Sequence, residues 1–314
     1  MSVNPKSVVL HHYDFSNYSE KVRLIFGLKS ISWQSVVIPS FGTKPSYTAL
    51  TGGYRRTPAL QIGADVYCDT SLIISTLEEC FPLPSIYPGS NKLRTKMLCE
   101  SLVYWAEKNL MRSIALYITG LHAEDFPDEF HEDRARLHYR APPTLSAVKN
   151  AASRYLPQVL SQLPLIEELL IPGQDYIFKE GLSLADVSLY QCPWFLNIIG
   201  GDSHLLKGMP KVLAWMKNIE MLGHGSFQKI SQTRALEIAS ACVPVQIHAA
   251  CALDCEQITL GSQVVVGPFG ERSAASGTLV HADDKLITLA HTGKECGLVH
   301  VHFPRHGYWV KDAF

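Results

Sequence analysis

The hydrophobic period of this chain changes along its length, and that change restricts the layer architectures it can build. Near the start, Val8, Val9 and Leu10 form a short apolar strand. From Tyr18, the residues Val22, Leu24, Ile25, Phe26 and Leu28 follow a helical spacing that ends near Gly27. Residues 33–38 read as a second strand. After a polar loop, residues 58–62 and 64–68 read as a hairpin about Gly63, and Leu72, Ile73, Thr76 and Leu77 begin another helix. The order β-α-β, loop, β-β-α describes a small mixed-sheet unit of α/β type.

The segment 81–88 carries Pro82, Pro84 and Pro88 and cannot continue a helix, so it is the expected interdomain linker. Beyond it the period is 3.6 almost throughout. Residues 92–118 place Leu98, Leu102, Trp105, Leu110 and Ile114 on one face, and 145–170 form a second amphipathic region broken or kinked at Pro157 and Pro164. Between them, 123–143 is acidic, aromatic and proline-containing and reads as a mobile lid or cover. Ser183 and Asp186 have the spacing of a capping box, opening a helix whose Val187, Leu189, Tyr190, Trp194 and Phe195 predict burial on most sides.

After Ser240 the period becomes two. Short strands at Gln263–Val266, Gly277–His281, Leu286–Leu289, Leu298–His302 and Tyr308–Val310 are separated by Gly267-Pro268, Asp283-Asp284 and the turn 304–307. That pattern predicts a small barrel of SH3-like type. The expected organisation is α/β over 1–88, all-α over 89–240 and small all-β over 241–314.

Composition excludes several function classes. With 46% hydrophobic and 18% charged residues the chain is globular. Its 28 Lys and Arg balance 29 Asp and Glu, which predicts no nucleic-acid and no membrane-surface partner. The start lacks a charged segment followed by an apolar core, and no apolar run reaches spanning length, so a cytoplasmic protein is expected. The eight cysteines include no Cys-x-x-Cys. Cys251 and Cys255, four apart, read as structural thiols. His300 and His302 read as strand alternation, and His11 and His12 lack a third ligand, so no metal is expected.

Two motifs carry chemistry. Thr57-Pro58, preceded by Arg55 and Arg56, sits just before a strand, where a proline can present neighbouring backbone groups to a peptide, especially through a cis bond. Asp69, Thr70 and Ser71 then open a helix, whose N-terminus offers free N–H groups to an anionic end.

Up to the period-two region, the chain resembles a cytosolic glutathione S-transferase: a thioredoxin-like N-terminal domain joined to a helical-bundle domain. Four features carry the resemblance: the run Ser16, Asn17, Tyr18, Ser19, Glu20 through Arg23 opening the first helix, Thr57-Pro58 before the third strand, Asp69-Thr70 before the third helix, and Ser183 to Asp186. The barrel lies outside the usual pattern, as in a C-terminally extended bacterial or fungal relative. The resemblance implies glutathione as co-substrate, a hydrophobic electrophilic small molecule as second substrate, and a homodimer. Ser16 then stands where serine-type transferases hold the residue that favours the thiolate of glutathione. If Asn17 with Glu20 caps the helix, Ser16 is free to face the ligand; Tyr13, Tyr18 and Ser19 are alternative donors. A cis Thr57-Pro58 implies backbone pairing of Thr57 with the cysteinyl part. Asp69 and Thr70 imply recognition of the γ-glutamyl end, with Asp-Thr replacing the usual Glu-Ser or Gln-Ser. Lys44, Arg55 and Arg56 are candidates for the glycyl carboxylate. Tyr104, Trp105, Met111 and Tyr117 are candidates for the electrophile cleft, with burial in the helical core as the default for such residues. A transferase-shaped protein that binds or scaffolds without turnover is the reading from a different class.

Overall fold

The computed structural model describes residues 7–248 and 258–313. The first unit is β1 (Val8–His12), α1 (Asn17–Leu28), β2 (Ser32–Val37), α2 (Pro45–Leu50), β3 (Ala59–Ile62), β4 (Asp65–Cys68) and α3 (Thr70–Cys80). β1 pairs parallel with β2 and antiparallel with β3, which pairs antiparallel with β4. The mixed α/β unit is as expected, with one addition: the polar loop after β2 contains α2, begun by Pro45 at its N-terminus. Six residues are too few to display a helical period, which is why sequence pattern does not reveal it.

The strands alternate between two cores. Val8 and Leu10 of β1 join the cluster made with α1, α3 and the helical region. Val9, together with Val36, Ala59 and Val66, faces the other way into a second cluster.

The helical region comprises α4 (Lys92–Trp105), α5 (Met111–Leu121), α6 (Asp128–Leu137), α7 (Leu145–Gln162), α8 (Pro164–Leu169), α9 (Leu184–Ile198), α10 (Pro210–Glu220) and α11 (Gln232–Ser240). A π-turn at Ala106–Leu110 joins α4 to α5. It shifts the helical phase, so the single face expected over 92–118 divides: Leu110 and Ile114 are buried, whereas Leu98 is 44% exposed. α5 and α7 pack closely at Gly120, where a Cβ would collide with the Ala152 backbone nitrogen. Pro157 lies within α7, and Pro164 begins α8. The expected cover, 123–143, contains α6. Among the described residues no helix is long and apolar enough to cross a membrane.

The period-two region forms β6 (Gln263–Pro268), β7 (Ala275–Ala282), β8 (Leu286–Gly293), β9 (Gly297–Pro304) and β10 (Tyr308–Asp312). β6 to β9 make an antiparallel meander, β10 returns beside β6, and a bulge between Leu279 and His281 bends the sheet. This is the β-rich addition the sequence predicts, but it is not free-standing. β9 pairs parallel with β4, with Asp65 opposite His300 and Tyr67 opposite His302. With β5 (Ser226–Lys229) added beside β2, one ten-stranded sheet runs β10-β6-β7-β8-β9-β4-β3-β1-β2-β5. Val264, Leu289, Val301 and Phe303 complete the second core with Val9, Tyr47, Tyr54 and Val66. The approach is tight at Gly52, whose φ is +66° and whose Cβ would meet the Ser276 carbonyl at 2.9 Å. The Cys251 and Cys255 expectation lies outside the described residues.

Candidate active site

A cavity of about 730 Å³ lies where the α/β unit, the helical region and the C-terminal strands meet. Its polar end is built by the start of α1, the turn before β3 and the start of α3. Its apolar end is lined by Val103, Ile118, Phe126, Phe130, Phe195 and Ile199. Phe126 and Phe130 stack with ring centroids 4.5 Å apart, and the Arg134 guanidinium sits 5.0 Å from the Phe130 ring.

The Thr57–Pro58 peptide is cis, and both residues line the cavity. The turn before them is held from below: Tyr47 donates its hydroxyl to the Arg56 carbonyl. Lys44, on the segment leading into α2, donates to the Arg55 carbonyl at 3.3 Å and to Thr57 Oγ1 at 3.4 Å. Burial, with Arg134 and Arg55 nearby, pushes the Lys44 ammonium down to about 8, against the opposing pull of Asp133.

Asp69 is the N-cap of α3 and takes a left-handed backbone, φ +77°. Its Oδ1 accepts from the Ser71 amide at 3.0 Å and the Ser71 hydroxyl at 2.8 Å, and its Oδ2 accepts from the Tyr308 hydroxyl at 3.1 Å. Burial works against the Asp69 charge, but Arg56 and these donors outweigh it and hold the carboxyl below the usual carboxylate range. Thr70 follows at the first helical position and is 8% exposed on the cavity wall.

The two flanking arginines are already engaged. Arg55 pairs with Asp133 of α6 at 2.6 Å. Arg56 reaches Glu271 at 3.2 Å and lies 3.8 Å from Asp69, and both arginines line the cavity. Lys44 lines the cavity and has no ion-pair partner among the described residues.

Ser16 departs from expectation. It is itself the N-cap of α1: its hydroxyl accepts from the Ser19 amide at 3.2 Å, it is 2% exposed, and it is not among the residues lining the cavity. The expected division, with Asn17 as cap and Ser16 free, is therefore reversed. Asn17 is the first helical residue and donates to Gln191 at 3.0 Å. Ser19 is fully buried. Tyr13 and Tyr18 do line the cavity, and neither hydroxyl has a hydrogen-bond partner among the described residues. Burial raises the Tyr18 phenol well above its ordinary value, so it stays a proton donor. Of the electrophile-cleft candidates, Tyr104 lines the cavity, whereas Met111 and Tyr117 are core and Trp105 packs against that core.

Sequence reasoning does not find the contribution of the C-terminal strands. Phe269, Glu271, His306 and Tyr308 all line the cavity. Their strand and turn pattern was legible, but no local signal links residues 268–308 to a turn more than two hundred positions earlier. The cover is likewise tied to both neighbours: Arg134 donates to the Ser40 carbonyl at 3.1 Å, and the Arg272 amide to the Leu137 carbonyl at 2.8 Å. His302 sits away from the cavity, donating to Asp65 at 3.1 Å. Among the described residues no cluster of three or more His, Cys, Asp or Glu is placed to hold a metal ion.

Family models match in two places: glutathione S-transferase, N-terminal domain, over residues 10–85, and glutathione S-transferase, C-terminal domain, over residues 131–222. No curated protein matches the chain. Among solved structures, a GST-like protein from Pseudomonas syringae is 31% identical, with a TM-score of 0.75, covering 98% of this chain and 100% of that one. That alignment therefore includes the C-terminal strands. A glutathione S-transferase from Methylobacterium radiotolerans in complex with glutathione sulfonate is 17% identical, with a TM-score of 0.51, over 71% of this chain and 97% of that one. The tau class glutathione S-transferase of mango, Mangifera indica, is 15% identical, with a TM-score of 0.51, over 68% of this chain and 89% of that one. These two share the fold and leave over a quarter of this chain unmatched. With a thioredoxin-like unit, a helical domain and a near full-length relative at this identity, the chain belongs to the glutathione S-transferase family.

Proposed function

We propose that the cavity binds glutathione and uses its thiolate to attack an electrophilic carbon of a hydrophobic small molecule held at the apolar end. The observation that carries this reading is the junction, in one cavity, of a polar end formed by Lys44, Thr57 and Thr70 with an apolar end that includes the stacked Phe126 and Phe130. Lys44 meets the glycyl carboxylate, Thr57 pairs with the cysteinyl backbone, and Thr70 with the start of α3 receives the γ-glutamyl carboxylate. The sulfur then lies toward the start of α1. Hydroxyl donation and the partial positive charge of the helix end favour the thiolate there. The thiol proton passes to solvent, the S–C bond forms, and the leaving group departs with its electron pair. A cytoplasmic homodimer belongs to the same reading; the six described cysteines are free thiols, and light scattering tests the dimer.

The donor to sulfur is the open choice within this reading. Ser16, as N-cap, accepts from Ser19 with a lone pair and retains its own proton to give, while Tyr13 and Tyr18 present unengaged phenols in the cavity wall. Retention on immobilised glutathione followed by turnover of a generic aryl halide tests the whole scheme. Thr70→Ala is expected to lose retention. Whichever of Ser16→Ala, Tyr13→Phe and Tyr18→Phe lowers kcat by about a hundredfold, with glutathione affinity kept, identifies the donor. Wild-type protein that is not retained sinks the proposal. Retention without turnover supports instead a binding protein of this fold, a reading favoured by the burial of Ser16.

A further inference from the structure

The C-terminal strands lie outside both family-matched segments, yet they hold the two ligand-facing pieces of the α/β unit together. Asp69 has a positive φ of 77° that L side chains rarely adopt, so its surroundings must enforce it. One carboxylate oxygen is held by Ser71 of its own helix; the other is held by Tyr308 of β10. Tyr308 is 3% exposed, and its hydroxyl also meets that of Tyr54 at 2.6 Å. Because a carboxylate only accepts, Tyr308 gives its proton to Asp69, and Tyr54 gives its own to Tyr308. The same strands supply Glu271, 3.2 Å from Arg56, whose neighbour Thr57 opens the cis turn. Asp69 and Arg56 are themselves only 3.8 Å apart.

We propose that Tyr308 and Glu271 are positioning residues for the γ-glutamyl end of glutathione, acting through Asp69 and Arg56, so that the C-terminal strands form part of the peptide site. This rests on the glutathione-site reading above. Neither residue takes part in bond making. They fix the direction of the first α3 amides and the separation of that helix start from the Thr57–Pro58 turn.

Titration calorimetry of the full chain with glutathione tests the assignment. Tyr308→Phe removes one oxygen from a packed ring and is expected to raise Kd about tenfold; Glu271→Gln, on the cavity wall, about threefold. Adding Tyr308→Phe to Asp69→Asn is expected to change Kd less than about twofold, because the partner it acts through is already altered. Val310→Ala in the same strand serves as the stability control: it is expected to lower the melting temperature and leave Kd unchanged. If Tyr308→Phe does not fold, Glu271→Gln, alone and with Asp69→Asn, carries the test. A wild type that does not bind glutathione overturns the function reading itself. A wild type that binds, with both variants within about twofold of it, overturns this inference alone, as does a loss in Val310→Ala equal to that in Tyr308→Phe.

Discussion

Lys44 keeps an ammonium in a wall where it is 5% exposed, and this gives binding and stability opposite dependences on pH. Burial and the neighbouring arginines lower it to about 8 from 10.5. In the unliganded protein its charge is therefore a cost, present below about pH 8 and relieved as pH rises toward the unfolded value. A bound carboxylate restores the charged form, so affinity for glutathione is expected to be level below about pH 8 and to weaken up to about tenfold per unit above it. S-methylglutathione, which has no ionisable thiol, isolates this effect in a calorimetric pH series. Lys44→Met is expected to bind about tenfold more weakly and without that slope; an unchanged slope in the variant contradicts the assignment. Thr57, Pro58 and Thr70 were legible as cavity residues because each belongs to a local motif, whereas Lys44 was one basic candidate among three and only the fold places it in the wall. The free state of Ser16 was not, since Ser16 and Asn17 are equally good caps by type and only the backbone, extended at Ser16, decides between them.

Elements follow the same division. The Ser183–Asp186 box is as expected: Asp186 Oδ2 accepts from the Ser183 amide and hydroxyl at 2.8 and 2.6 Å. The structure adds two partners, because Oδ1 accepts from the Ile177 amide at 2.8 Å and from Trp215 Nε1 at 2.9 Å. Burial raises this carboxyl, and its stabilisation rests on four donors, with no ion-pair partner among the described residues. Asp186→Ala leaves these donors buried and is expected to destabilise the protein by about 4 kcal/mol, read from denaturant unfolding, well beyond the ~1 kcal/mol of an ordinary cap. A loss near 1 kcal/mol indicates that capping is its whole contribution. Long periodic helices such as α7 and α9 were readable from pattern. The phase shift at Ala106–Leu110 was not, because a π-turn inserts no residue type of its own.

At the scale of the molecule, the C-terminal strands join the α/β unit through β4 and β9. Asp65, fully buried, accepts from His302 at 3.1 Å and from the Val245 amide at 3.0 Å, while Thr288 pairs with the other ring nitrogen of His302 at 3.0 Å. Asp65→Ala is expected to cost about 3 kcal/mol and to speed hydrogen exchange in β9 and β10 more than in α9. Equal acceleration across the chain tells against a joint that opens by itself. The sequence by itself determined what local chemistry can encode: the three periods, the capping box, the proline turn and the polar start of α3, because each depends on residues within one or two helical turns or one hairpin. The tertiary structure alone decided that Ser16 caps rather than faces the cavity, that Arg56 is neutralised by Glu271, and that Tyr308 reaches Asp69. Those outcomes depend on which distant strand completes the sheet edge at β4, and pairing across more than two hundred residues leaves no periodic trace in either partner.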